Sequence, residues 1–196
     1  MYEFAKLCWG ASLFFEFCAL LRLLTWRANL PWFLTFVLFD LARWIPAYIV
    51  KMSNNFAADP SAAALYRSIV AGTMPIATAL LAGAVAEACA RRGWKAAGAA
   101  GLALALSMLP TGWRLPWLPG EFAVALLCAC AAALCWRRHR ALFVLLTGSE
   151  AIGGAAVLLG AFKVREVFEF EMLCAAAVWA LWFVLADLIA RESRQA

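Results

Sequence analysis

The sequence predicts an all-α fold: a polytopic transmembrane helical bundle forming one integral membrane domain over residues 1–196. Three observations carry that expectation. Broadly apolar residues make up 66% of the chain, against about 45–50% in an ordinary soluble domain. Charged residues make up only 15%, against roughly 25%. Finally, the apolar residues fall in runs close to the roughly 20 residues that span a bilayer. A soluble core of this size buries only about 70% of the surface its unfolded chain exposes. Soluble globular folds, disorder, collagen-like repeats and secreted disulfide scaffolds are therefore set aside.

Seven apolar stretches follow in order, at about 7–25, 31–50, 67–90, 95–112, 120–136, 141–161 and 171–190. The first ends at Arg22 and Arg27 without a small-residue cleavage site, so it is expected to remain as a span rather than leave as a signal peptide. The second opens on Leu30-Pro31-Trp32, with proline where a first helical turn tolerates its missing N–H. Before the third, Met52 to Pro60 reads as the longest loop. The fourth is short and Gly/Ala-rich and needs Lys95 to snorkel; if it only re-enters, the count falls to six. Pro110 to Gly120 is the strongest turn signal, with Trp113 and Trp117 at interface depth. The last stretch ends at Arg191.

Lysine and arginine set the orientation. Arg22, Arg27, Arg91, Arg92, Lys95, Arg137, Arg138, Arg140, Arg191 and Arg194 fall on one side. Lys6, Lys51, Arg67, Arg114, Lys163 and Arg165 fall on the other, and Arg43 stays within the membrane. The expected topology is N-terminus outside and C-terminus cytoplasmic. The net charge of +5 then serves topology and phospholipid contact, and no nucleic-acid motif accompanies it.

Cofactor and metal chemistry find little support. The seven cysteines lie in or beside apolar runs without a CxxC pair, and read as packed thiols. His139 is the single histidine, too few for a haem pair or a histidine-rich metal centre. Gly148-Ser149-Glu150-Ala151 has no histidine placed as a base. The expectation is no enzyme, no catalytic residue, no cofactor and no metal.

The informative residues are charges at bilayer depth. Glu16, Asp40 and Glu150 lie at the middles of the first, second and sixth stretches, and each would cost about 2.5–3.5 kcal/mol facing lipid. Arg43 follows Asp40 by three residues, on the same helix face. The simplest arrangement turns Glu16, Asp40, Arg43 and Glu150 into the bundle interior, where several carboxylates near one arginine cannot all ionise. Glu87 with Arg91, and Asp187 with Arg191, have the i,i+4 spacing of helix-end ion pairs. That recurrence is compatible with parallel repeats over spans one to three and five to seven. Ala79-x-x-x-Gly83 and Ser149-x-x-x-Gly153 mark places where helices approach closely.

Leu30-Pro31-Trp32-Phe33, Phe39-Asp40-Leu41-Ala42-Arg43, Ala64-Leu65-Tyr66-Arg67 and Ala86-Glu87 together resemble an uncharacterised group of small bacterial seven-span membrane proteins. The resemblance covers about the first 90 residues and implies an architecture and nothing about mechanism; the compactness of the chain and its Ala, Trp and Arg usage point to a bacterial inner membrane. Three functions fit these features. The first is a small transporter or channel-like bundle built around Glu16, Asp40, Arg43 and Glu150. The second is an accessory or scaffold subunit of a larger membrane complex, and the third a seven-helix sensor without an output domain of its own. Expected partners are membrane lipids, with partner membrane proteins or a homo-oligomer beside them.

Overall fold

A computed structural model describes residues 2–25, 29–52, 59–90, 93–108, 126, 144, 147–148 and 167–193. Among them all regular structure is helical. The helices are α1 (Tyr2–Thr25), α2 (Pro31–Met52), α3 (Pro60–Ala90), α4 (Gly93–Ser107) and α5 (Val167–Ser193). Three are long and apolar enough to cross a membrane, over Glu3–Thr25, Pro31–Met52 and Pro60–Ala88, and α5 contains the apolar stretch Leu173–Leu188. The stretches expected at 120–136 and 141–161, Glu150 included, lie outside the described residues except for isolated positions.

Helix ends follow local chemistry. The third helix begins at Pro60, well before the expected residue 67, because Asp59 and Pro60 start a helix instead of closing a loop. The Asp59 carboxylate accepts the Ser61 amide at 2.8 Å and the Ser61 hydroxyl at 2.6 Å, an N-cap with proline in the first turn. The hydroxyl, followed by the Ser61 and Ala62 amides, holds the Asp59 carboxyl below its usual range. By contrast α4 stops at Ser107 after 15 residues. At a 1.5 Å rise it extends about 22 Å, short of a hydrocarbon core of about 30 Å.

Proline also sits inside helices, at Pro46 in α2 and Pro75 in α3. Hydroxyls respond as they do in apolar surroundings, by bonding their own helix. Thr73 Oγ1 donates to the Ile69 carbonyl at 2.5 Å, Ser12 Oγ to that of Trp9 at 2.8 Å, and Ser107 Oγ to that of Ala103 at 2.8 Å. No hydroxyl in this set needs water, as expected of spanning segments.

Side-chain pairs give the directions. Trp9 meets Trp44 and Tyr48, so α1 and α2 run antiparallel. Phe33 meets Glu87 while Arg43 meets Met74, which makes α2 and α3 antiparallel as well. Helix α1 packs most extensively against α5. There Phe15 meets Phe183 and Arg22 approaches Asp187, so α1 and α5 run parallel.

The core between α1, α2, α3 and α5 is built from Leu20, Leu23, Phe33, Phe36, Val37, Val85, Trp179, Trp182 and Leu185. Phe36 stacks on Trp179 with centroids 5.8 Å apart. A second cluster gathers Ala5, Cys8, Trp9 and Ala47. Trp9, 2% exposed, meets the edges or faces of Trp44, Tyr48 and Tyr66 at 5.2–6.3 Å. Outside, large apolar groups stand uncovered: Leu7, Phe14, Phe17, Leu24, Leu38, Ile45 and Ile49 are all exposed. Apolar groups outward with carboxylates inward is the distribution that lipid solvation favours.

Candidate functional site: a buried acid–arginine cluster

Three of the four residues expected at mid-membrane meet in the interior. Asp40, the tenth residue of α2, is 2% exposed, and Glu16 on α1 is 0% exposed. Arg43, one turn after Asp40, donates its Nε–H to Asp40 Oδ1 at 2.5 Å. The i,i+3 spacing places both groups on one face of α2. The Trp44 side chain also donates to the Asp40 carboxylate. Among the described residues, Asp40 is thus held by side chains of its own helix.

Arg43 is equally engaged. A terminal guanidinium nitrogen lies 2.9 Å from Met74 Sδ on α3, a weak acceptor. The guanidinium carbon lies 4.7 Å from the centroid of the Trp44 ring, within cation–π range. The Asp40–Arg43 pair is therefore sealed, with side chains 3% and 10% exposed.

Glu16 differs. It lies within electrostatic reach of both Asp40 and Arg43. Yet both of its carboxylate oxygens are buried without a hydrogen-bond partner among the described residues. Its surroundings on α1 are Ser12, whose hydroxyl is turned to the Trp9 carbonyl, and the buried Ala19 and Leu20. The cluster thus combines two carboxylates, one guanidinium and one unsatisfied acid. Glu150 lies outside the described residues.

The acids at the helix ends do other work. Glu87, 5% exposed, accepts the Phe33 amide at 3.0 Å and also the Trp32 amide. These amides belong to the first turn of α2, where no intrahelical acceptor exists. A carboxylate on α3 therefore caps α2, and one turn earlier Gly83 makes room for the Trp32 indole. A Cβ at Gly83 would fall 2.5 Å from Trp32 Cε3. Arg91, expected as the partner of Glu87, lies outside the described residues.

Asp187 Oδ2 meets Arg191 at 2.6 Å, the i,i+4 pair expected at that end. Arg22 Nε also approaches Asp187 Oδ1 at 3.6 Å from α1, an ion pair beyond hydrogen-bond length. This end of the α1–α5 seam thus carries two arginines around one acid.

Sequence reasoning found Glu16, Asp40 and Arg43 because charge at bilayer depth is costly. It missed Trp44 and Met74 as their partners, and the grip of Glu87 and Gly83 on the start of α2. Among the described residues no three potential ligands of the His, Cys, Asp or Glu type converge as a metal site. Cys8 and Cys174 are buried cysteines outside any disulfide, and Cys18 is a partly covered one. No protein-family model matches the chain, and neither a curated protein nor a solved structure matches it.

Proposed function

We propose that this chain is a small transporter or channel-like membrane bundle whose path is organised by Glu16, Asp40 and Arg43. The carrying observation is Glu16, fully buried halfway along a spanning helix with both oxygens unpartnered. A purely structural polar network satisfies its members, because half-satisfied networks destabilise a core. An acid kept unsatisfied beside a sealed ion pair fits a group that exchanges a ligand.

The same reading includes seven spans with the N-terminus outside and the C-terminus cytoplasmic in a bacterial inner membrane. The parallel run of α1 and α5 supports it: if both cross, an odd number of crossings separates the chain's two ends. Arg22 and Arg191 then share the cytoplasmic face, in keeping with the lysine and arginine bias.

The competing reading is an accessory or scaffold subunit, which the broad exposed apolar surface of α1 and α2 would serve. Purification of the natively expressed chain in mild detergent, followed by native mass spectrometry, separates them. A lone monomer or a small homo-oligomer is the expected result. A stoichiometric companion protein would overturn the autonomous-transporter reading.

A further inference from the structure

The cluster holds more acid than base. Its one cation, Arg43, is committed to Asp40, Met74 and the face of Trp44. Asp40 is satisfied by Arg43 and Trp44. The other charges on the helices packed around this point are also engaged. On α3, Glu87 is held by the first amides of α2. On α5, Asp187 lies between Arg22 and Arg191. Among the described residues, the other titratable groups packed toward the interior are the thiols of Cys8 on α1 and Cys174 on α5 and the phenols of Tyr48 on α2 and Tyr66 on α3 around Trp9. No described cation is left for Glu16, and an ionised carboxylate buried without donor or counter-charge is among the costliest groups a bundle can contain.

We propose that the ligand of this site is a single proton carried on Glu16, with the Asp40–Arg43 pair as its fixed, neutral neighbour. The proposal rests on the site reading above and deepens it by naming the ion. A proton needs one lone pair and no space. A hard metal cation takes about six oxygen ligands, and the donor set here is poor. Glu16 offers two oxygens, Asp40 is occupied, and the Ser12 hydroxyl one turn away is spent on the Trp9 carbonyl. Release of the proton leaves two carboxylates beside one guanidinium, so the charge state of α1 acts directly on the ion pair of α2.

The test is covalent labelling of the purified full chain with dicyclohexylcarbodiimide, which reacts with protonated carboxyl groups in apolar surroundings, read by peptide mass spectrometry. The expected result is an adduct on Glu16 that declines as the solution is made alkaline and is unchanged by sodium or potassium. Glu16→Gln loses the adduct. Asp40→Asn releases Arg43 toward Glu16 and reduces it. Protection by sodium or potassium would overturn the proposal in favour of a metal cation. Absence of any Glu16 adduct in protein with a native circular dichroism spectrum would overturn it outright. Undiminished labelling in folded Asp40→Asn would remove the paired neighbour from the account. Labelling does not depend on flux, so an adduct on a protein that moves nothing would sink the transport reading and leave the proton site standing.

Discussion

Glu87 of α3 and Phe33 of α2, 54 residues apart, are joined by a carboxylate that accepts a helix-start amide at 3.0 Å. This bond ties the start of α2 to α3, the helix whose Met74 also meets Arg43. The carboxylate also meets the positive end of the α2 dipole. Glu87→Ala leaves two first-turn amides of α2 without this acceptor, at a cost of about 1–3 kcal/mol. Glu87→Gln, which keeps one acceptor oxygen, is expected to cost less. Thermal unfolding in detergent checks both, and equal stability of all three proteins would contradict the capping role.

Gly83 and Trp32 form the packing half of the same grip. A Cβ at 2.5 Å from a rigid indole ring forces the ring or the helix to move. Overpacking of this kind typically costs about 1–3 kcal/mol. Gly83→Ala is therefore expected to lower the melting temperature, and adding Trp32→Ala should recover part of the loss. Strict additivity of the two changes would show that the residues do not meet.

The Asp40–Arg43 pair makes a sharper energetic prediction. Both side chains are nearly sealed from the surface, so Asp40→Asn breaks the pair and leaves the buried guanidinium with Glu16, to which it is not bonded in the native bundle, as the carboxylate within reach. Breaking a buried pair from one side costs about 3–5 kcal/mol. Replacing both members by apolar residues of similar volume, Asp40→Leu with Arg43→Met, should cost much less than Asp40→Asn alone. A double-mutant cycle in detergent measures the difference.

Asp59 gives the pH dependence. Its carboxyl is held below the usual range by the Ser61 hydroxyl and amide. A carboxyl depressed by folding contributes stability in full above its unfolded value of about 3.9. That contribution is lost as pH falls through the lower, folded value. Amide exchange at Ser61 and Ala62 should therefore show loss of protection at the start of α3 only in strong acid. Asp59→Ala should remove the protection already at neutral pH. Protection insensitive to both changes would exclude the cap.

The helical class and three helices long enough to cross a membrane were legible because apolar length is a simple signal. The first three helices follow from apolar length, and Pro31 marks the start of α2. The Asp40–Arg43 pair follows from spacing alone, since three residues bring two side chains together on any helix. Glu16 was legible only through cost: nothing in its spacing named a partner, but an acid at mid-span had to turn inward. The role of Glu87 could not be read this way. Its spacing to Arg91 pointed along its own helix, whereas the amides it accepts lie on a helix placed beside it by tertiary packing. The Ala79–Gly83 spacing flagged a close approach without showing that an indole fills it. Asp59-Pro60 carries a capping signature that the loop-like composition of residues 52–60 obscured.

The proposed transport activity rests on Glu16 as a working group of the bundle. The most direct test is relaxation of an imposed pH gradient in proteoliposomes, read with an entrapped pH-sensitive dye. Wild type, Glu16→Gln and the surface control Phe14→Ala are compared, with melting temperatures recorded for each. Proton flux above that of empty liposomes is expected in wild type and Phe14→Ala, and its loss in Glu16→Gln with folding retained. Equal flux in folded Glu16→Gln and wild type, or no flux in any of them, would contradict that expectation.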